Sequence, residues 1–310
     1  MFPQTSHEPG DTQERLSGHV SSAKSRQTLE LPGGRTLGYA EWGDPSGVPL
    51  FHFHGSSSSR LEHPLRPEDL EGVRMVTIDR PGHGLSDFQP GRTLLDWPDD
   101  VVALADHLRI ETFASSGWSA GGPYALACAH RIPERLTEVG LISSFGPYDQ
   151  PGTRVGMDRK NRLALAIASR LPWALNRGLF RMMERAFRKD PEGTALRRFD
   201  SLPPADRRIM SDPDATDMLL ASMVESFRPG ADGSAWELRL LTRPWGFEPR
   251  DVAVPVTLWH GDADTNSPLA VADHLSRTIP NASSTVLPGE GHFFILERWG
   301  EVIRHLTAGP

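Results

Sequence analysis

With a single cysteine, Cys128, in 310 residues, the chain has no means of forming an internal disulfide, and no Cys/His cluster falls at metal-ligand spacing. A disulfide scaffold and a structural zinc site are excluded, and nothing in the sequence implies a metal or a cofactor. Apolar runs of membrane-spanning length are also missing, and Met1 to Ser25, rich in Ser, Gln, Thr, Glu and Gly, lacks the apolar core of a secretory signal. These absences predict a cytoplasmic protein without a membrane partner, its residues 1–25 a flexible tail. Positive charge is in deficit: 33 Lys and Arg against 40 Asp and Glu give a net charge of −7, so nonspecific nucleic-acid binding has no electrostatic support. The deficit is uneven. Residues 149–250 hold 18 basic and 14 acidic side chains, a balance of +4, and the remainder stands at −11.

What is present is ordinary for a soluble globular chain, 38% hydrophobic and 24% charged, and long enough for one large α/β domain with an insertion. Strand patterns fall near Thr28–Leu31, Thr36–Trp42, Pro49–Phe53, Met75–Asp79, Thr112–Gly117, Leu136–Ser143, Val254–Trp259 and Thr285–Leu287. Helical patterns at 94–108 and 121–131 alternate with them, which predicts a mostly parallel sheet covered by helices on both faces. Residues 26–147 and 251–310 read as this core. Between the sixth and seventh strands, residues 148–250 interrupt the alternation with four helical patterns, at 158–175, 177–188, 204–211 and 214–227. This insertion reads as a helical cap, and its Met183 and Met223 suit the lining of an apolar pocket. Arg159, Arg162, Arg181 and Arg185 read as a solvated face. No sequence feature sets an oligomeric state.

The strongest chemical signal is Gly117-Trp118-Ser119-Ala120-Gly121, where a β-prone run meets a helix-compatible one. A serine at a sharp strand-to-helix turn needs small residues two before and two after it, and Gly117 and Gly121 meet that need. Such a turn exposes the hydroxyl and aims the Ala120 amide, at a helix N-terminus, into the same space, where it can stabilise an oxyanion. Trp118, beside the serine, is a candidate pocket wall. A serine hydroxyl needs a base, and the base needs an orienting acid. Asp264, in the polar turn after the seventh strand, is the candidate acid, with Asp262 and Asp149 as alternatives. His292, in the loop Pro288-Gly-Glu-Gly-His292 before the last helix, is the candidate base. The run His54-Gly55-Ser56-Ser57-Ser58-Ser59-Arg60 follows an apolar strand, and Gly55 lets the backbone turn so that the Ser56 amide can be the second oxyanion donor. His52, His54 and His83 read as structural, and Cys128 as a buried, inert thiol.

Five motifs in this order, His54-Gly55 to Arg60, Asp79-Arg-Pro-Gly-His-Gly-Leu-Ser86, the serine turn, the acid turn and the histidine loop, resemble a cap-bearing α/β-hydrolase over residues 27–306. The resemblance implies the α/β-hydrolase fold and the order Ser119, Asp264, His292 along the chain. It also favours Asp264, which stands where the family places its acid. The family often carries proline and glycine at the positions of Ser57 and Ser58, so this loop is expected to be more polar, either a solvated loop or, through Ser57, a contact for a polar acyl group. The implied activity is a serine hydrolase taking a small-molecule carboxylic ester, lactone or thioester of small to medium apolar size. A carbon–carbon bond hydrolase or a proline aminopeptidase would use the same three residues. A non-hydrolytic ligand-binding protein of the same fold is the reading from another class.

Overall fold

A computed structural model describes residues 23–309. The tail expected over residues 1–25 therefore falls almost wholly outside the described residues. Its last three, Ala23–Ser25, form a 3₁₀ turn, and the buried Ser25 offers its carbonyl to Arg60 Nε at 2.7 Å, so the fold begins earlier than the sequence suggests.

Eight strands form one sheet: β1 (Gln27–Glu30), β2 (Thr36–Gly43), β3 (Val48–Phe53), β4 (Val73–Ile78), β5 (Phe113–Trp118), β6 (Leu136–Ile142), β7 (Val256–Gly261) and β8 (Ala282–Leu287). Their order is β1-β2-β4-β3-β5-β6-β7-β8; the β1/β2 and β2/β4 pairs are antiparallel and the rest parallel. The largest departures from the sequence reading are at β4, which begins at Val73, at β7, which begins at Val256 and runs on through His260 and Gly261, and at β8, which begins at Ala282.

Ten α-helices connect the strands: α1 (Trp97–His107), α2 (Gly122–Arg131), α3 (Arg159–Arg170), α4 (Trp173–Lys189), α5 (Pro191–Phe199), α6 (Pro204–Ile209), α7 (Pro213–Ser226), α8 (Asp232–Leu241), α9 (Leu269–Thr278) and α10 (Ile295–Thr307). Six of them, α3 to α8, lie between β6 and β7, where the sequence pattern has four. Leu171-Pro172 ends α3 early, because proline cannot continue the ladder and sits instead at the start of α4. The two unforeseen helices begin with residues that read as breaks: α5 with Pro191, capped by the Asp190 carboxylate accepting from the Gly193 amide, and α8 with Asp232-Gly233. No helix of the described residues is long and apolar enough to cross a membrane.

Side chains alternate across a strand, and the central strands are apolar on both sides. Phe51, Phe53, Val76, Ile78, Leu141 and Leu258 face one way and pack with Val101, Leu104, Leu126 and Leu275 of α1, α2 and α9. Leu50, Met75, Ile142 and Trp259 face the other and pack with Ile295, Trp299, Val302 and Ile303 of α10. A side chain as buried as Phe53 contributes about 1.5–3 kcal/mol. All parallel strands therefore end at the same edge, and the loops after β3, β4, β5, β7 and β8 gather there.

Helices α7 and α8 are fastened to that edge by buried ion pairs. Arg60 Nη1 meets Asp79 Oδ2 at 2.8 Å and Glu225 Oε1 at 2.9 Å, while Arg80 Nε meets Glu237 Oε2 at 2.6 Å. Attraction in such pairs does little more than offset the loss of hydration, but removing one partner strands a buried charge at about 3–5 kcal/mol. Asp79 also accepts the amides of Arg60 and Leu85, and Gly84 has no side chain because a Cβ there would strike this carboxylate.

Candidate active site

Ser119 stands at the end of β5 with φ +55°, the left-handed region that a non-glycine residue occupies only under strain of about 1–3 kcal/mol. The flanking glycines are required sterically. A Cβ on Gly117 would strike the backbone of Gly121, and one on Gly121 would strike the carbonyl of Phe53. The Ser119 carbonyl accepts the Phe145 amide at 2.9 Å, which ties the turn to the end of β6.

His292 Nε2 lies 2.9 Å from Ser119 Oγ, and its Nδ1 lies 2.7 Å from Asp264 Oδ2. An ionised carboxylate only accepts, so the Nδ1 proton points at Asp264 and leaves Nε2 free to accept from the serine hydroxyl. Asp264 Oδ1 accepts the amides of Asn266 and Ser267 at 2.8 and 2.9 Å, which fixes the acid turn. Burial works against the ionised form of both groups, yet their mutual attraction and hydrogen bond prevail: the Asp264 carboxyl is held below its ordinary range and the His292 imidazole above its own. Trp118 Nε1 donates to the His292 carbonyl at 3.1 Å, so the residue preceding the serine also holds the histidine loop.

The alternative acids lie elsewhere. Asp262 is exposed and accepts the Gly289 amide at 2.7 Å, a brace between two loops, and Asp149 is exposed after β6. His260, inside β7, donates from Nε2 to the Ser267 carbonyl at 2.7 Å and lies 3.7 Å from Asp264, supporting the turn from below.

The serine run after β3 differs from a solvated loop. Ser56 is exposed, but Ser57, at φ +53°, Ser58 and Ser59 are buried. Ser58 and Ser59 share a partner in Ser222 of α7, whose Oγ lies 2.8 Å from Ser58 Oγ and 3.0 Å from Ser59 Oγ and accepts the Ser59 amide at 2.9 Å. The polarity of these two residues is satisfied by a helix 163 or more residues away, and with Ser57 also buried the expectation of a solvent-facing loop is corrected from Ser57 onward. The Gly55 amide is taken by the buried Glu62 carboxylate at 3.1 Å, while the Ser56 amide has no hydrogen-bond partner among the described residues. Glu62 also binds His52 Nε2 at 2.8 Å, and the Arg80 guanidinium donates to the carbonyls of His54 and Gly55. The loop's course is thus set by buried charges on both sides. His54 is kept neutral by burial and by the Arg80 charge, and burial carries His83 down to about 4. Burial pushes the Cys128 thiol far above its usual range, as expected of an inert core residue.

Trp118 and Met223 belong to one buried apolar cluster, against which the half-buried Met183 packs. Sequence reasoning missed Glu62, Ser222, Glu225 and Glu237, and it missed Asp206 of α6, which is buried against the histidine loop. Only the apolar periodicity around Ser222 and Glu225, which marks that helix as buried, could have drawn notice to two of them.

A model of the Alpha/beta hydrolase family matches residues 50–305. A pimeloyl-[acyl-carrier protein] methyl ester esterase of Aromatoleum aromaticum is 34% identical over 231 residues, which cover 74% of this chain and 84% of that protein. Among solved structures, a thermophilic esterase of Thermogutta terrifontis superposes with a TM-score of 0.64 at 25% identity, over 90% of this chain and 97% of that one. An enol-lactonase of Burkholderia xenovorans gives 0.65 at 18% identity, over 91% and 98%, a likeness of fold alone. The eight-stranded, mostly parallel sheet and the family match agree, and the chain belongs to the α/β-hydrolase family.

Proposed function

We propose that the protein is a serine hydrolase that cleaves a carboxylic ester of small to medium apolar size through an acyl-enzyme on Ser119. The observation that carries this reading is the unbroken line from Ser119 Oγ through His292 to Asp264, at 2.9 and 2.7 Å. In the proposed reaction Ser119 Oγ attacks the carbonyl carbon as its proton passes to His292 Nε2. The oxyanion turns toward the amides of Ser56 and Ala120. Collapse breaks the bond to the leaving oxygen, which takes the proton from His292 and departs as the alcohol. Water then attacks the acyl carbon, gives a proton to His292, and the acid leaves as that proton returns to Ser119.

An ester is favoured over an N-terminal amine substrate by the charges that face the site. Glu225 and Glu237 neutralise Arg60 and Arg80, so these buried carboxylates are already engaged. The relative named for its methyl ester esterase activity supports the same choice. Ser119 is only 5% exposed, so in this reading α3 to α8 act as a cap and Trp118, Met183, Met223 and Ser57 shape the acyl pocket.

A panel of p-nitrophenyl esters, a thioester, a lactone and prolyl amides tests the assignment. Esters should turn over best, and Ser119→Ala should lower the rate by roughly three to six orders of magnitude. Faster cleavage of prolyl amides, or an active alanine variant, would contradict it.

A further inference from the structure

Asp206 is fully buried although two exposed arginines, Arg207 and Arg208, follow it in the same short helix, and its carboxylate is directed at the backbone of the histidine loop. Oδ1 accepts the Phe293 amide at 2.9 Å. The fit is close enough that a Cβ on Gly291 would collide with this carboxylate, which explains why glycine precedes His292. Oδ2 has no hydrogen-bond partner among the described residues. A neutral acceptor would serve the Phe293 amide as well as a carboxylate does, and a buried oxygen left unpaired is costly. What the carboxylate adds is charge.

We propose that Asp206 is a positioning residue for the reaction at Ser119: from the helical segment between β6 and β7 it anchors the His292 loop by the Phe293 amide and sets a second negative charge beside the imidazole. The inference rests on the assignment of His292 as the base. Proton transfer from Ser119 makes His292 a cation, so an anion held nearby stabilises the charge that develops. Because the anion comes from α6, the base reaches full strength only when α6 is seated. Arg208 of the same helix adds a surface ion pair to that seat, with Nη1 at 2.7 Å from Glu297 Oε1 of α10.

The charged groups that act on His292 come from four elements. Asp264, after β7, and Asp206, on α6, favour the imidazolium; Arg198, on α5, opposes it; and His260, in β7, acts on the same Asp264. Burial, and after it the Asp264 charge, leave the Asp206 carboxyl above its ordinary range, although the Phe293 amide and the imidazole draw it down.

The test compares Asp206→Asn with the parent enzyme in kcat and kcat/KM against pH, with Tm measured alongside. Asparagine keeps the acceptor and removes the charge. The expected result is a kcat lower by about tenfold with KM nearly unchanged, and an acidic limb of kcat/KM displaced to lower pH, since the imidazole loses a stabilising anion. A profile superimposable on that of the parent, with any loss of activity following Tm, would overturn the proposal and leave Asp206 a structural residue. If the asparagine variant does not fold, Arg208→Ala, which loosens α6 without touching Ser119, Asp264 or His292, should lower kcat while sparing KM; parental kcat there would count against it equally. Labelling of Ser119 by a fluorophosphonate separates the two levels: labelled enzyme with an unmoved profile refutes the role of Asp206 alone, whereas unlabelled, active enzyme refutes the assignment of the base and nucleophile.

Discussion

Replacing Ser222 by alanine removes one buried oxygen that organises the whole serine loop. Its Oγ accepts the Ser59 amide, exchanges hydrogen bonds with the hydroxyls of Ser58 and Ser59, and approaches the Ser59 carbonyl at 3.3 Å. The Ser59 amide is buried, and Ser222 Oγ is its acceptor among the described residues. Leaving such a donor unpaired costs about 1–3 kcal/mol, which for a chain of this size lowers Tm by about 2–5 °C. The same loop carries the Ser56 amide, so its loosening should also lower kcat by about tenfold, less than the hundredfold or more that follows outright loss of an oxyanion donor. KM should change little. Ser226→Ala is the control, because Ser226 donates only to the Met223 carbonyl within its own helix. Differential scanning fluorimetry and hydrolysis of p-nitrophenyl butyrate measure both quantities. If Ser222→Ala matches Ser226→Ala in kcat, α7 does not govern the oxyanion loop and the coupling argument fails.

Asp264→Asn should damage turnover far more than Asp262→Asn, since only the former leaves His292 Nδ1 without its anion; the reverse order in steady-state kinetics would reassign the acid. Stability should fall as pH drops from 6.5 toward 4, because the unfolded chain protonates His83 near its ordinary value while the folded chain resists to about 4. That single group accounts for about 3 kcal/mol across the window, and His54 acts in the same direction, so the acid slope of Tm should flatten in His83→Gln; an unchanged slope would refute the assignment. Met183→Trp and Met223→Trp should reorder the preference for acyl-chain length in kcat/KM, by about 1–3 kcal/mol per methylene. Labelling by a very small sulfonyl fluoride should stay the same, and an unchanged ranking would move specificity to the Ser56–Ser59 loop.

The parts of the site that were legible in the sequence are those whose geometry is local. Gly117 and Gly121 announce the turn around Ser119 because the steric demand lies within two residues, and Asp264 and His292 each end a strand-loop unit that can be read alone. The partners of these loops were not legible. Ser58 meets Ser222 across 164 positions and Phe293 meets Asp206 across 87, and nothing in the local pattern of either distant residue names its partner. A serine run looks solvated until its hydrogen-bond partners are known. Helices α5 and α8 were missed because Pro191 and Gly233 signal breaks, yet proline suits a first helical turn and Gly233 lies where a side chain would strike the backbone of Gly82.

The proposed reaction requires Ser119 to form the covalent intermediate. Intact-mass analysis of the full chain after brief reaction with a fluorophosphonate, followed by peptide mapping, tests this directly. One adduct per chain on Ser119 is predicted, absent from Ser119→Ala and greatly slowed in His292→Ala, where the base is missing. Labelling at another residue, or ester hydrolysis persisting at the parental rate in Ser119→Ala, would contradict it.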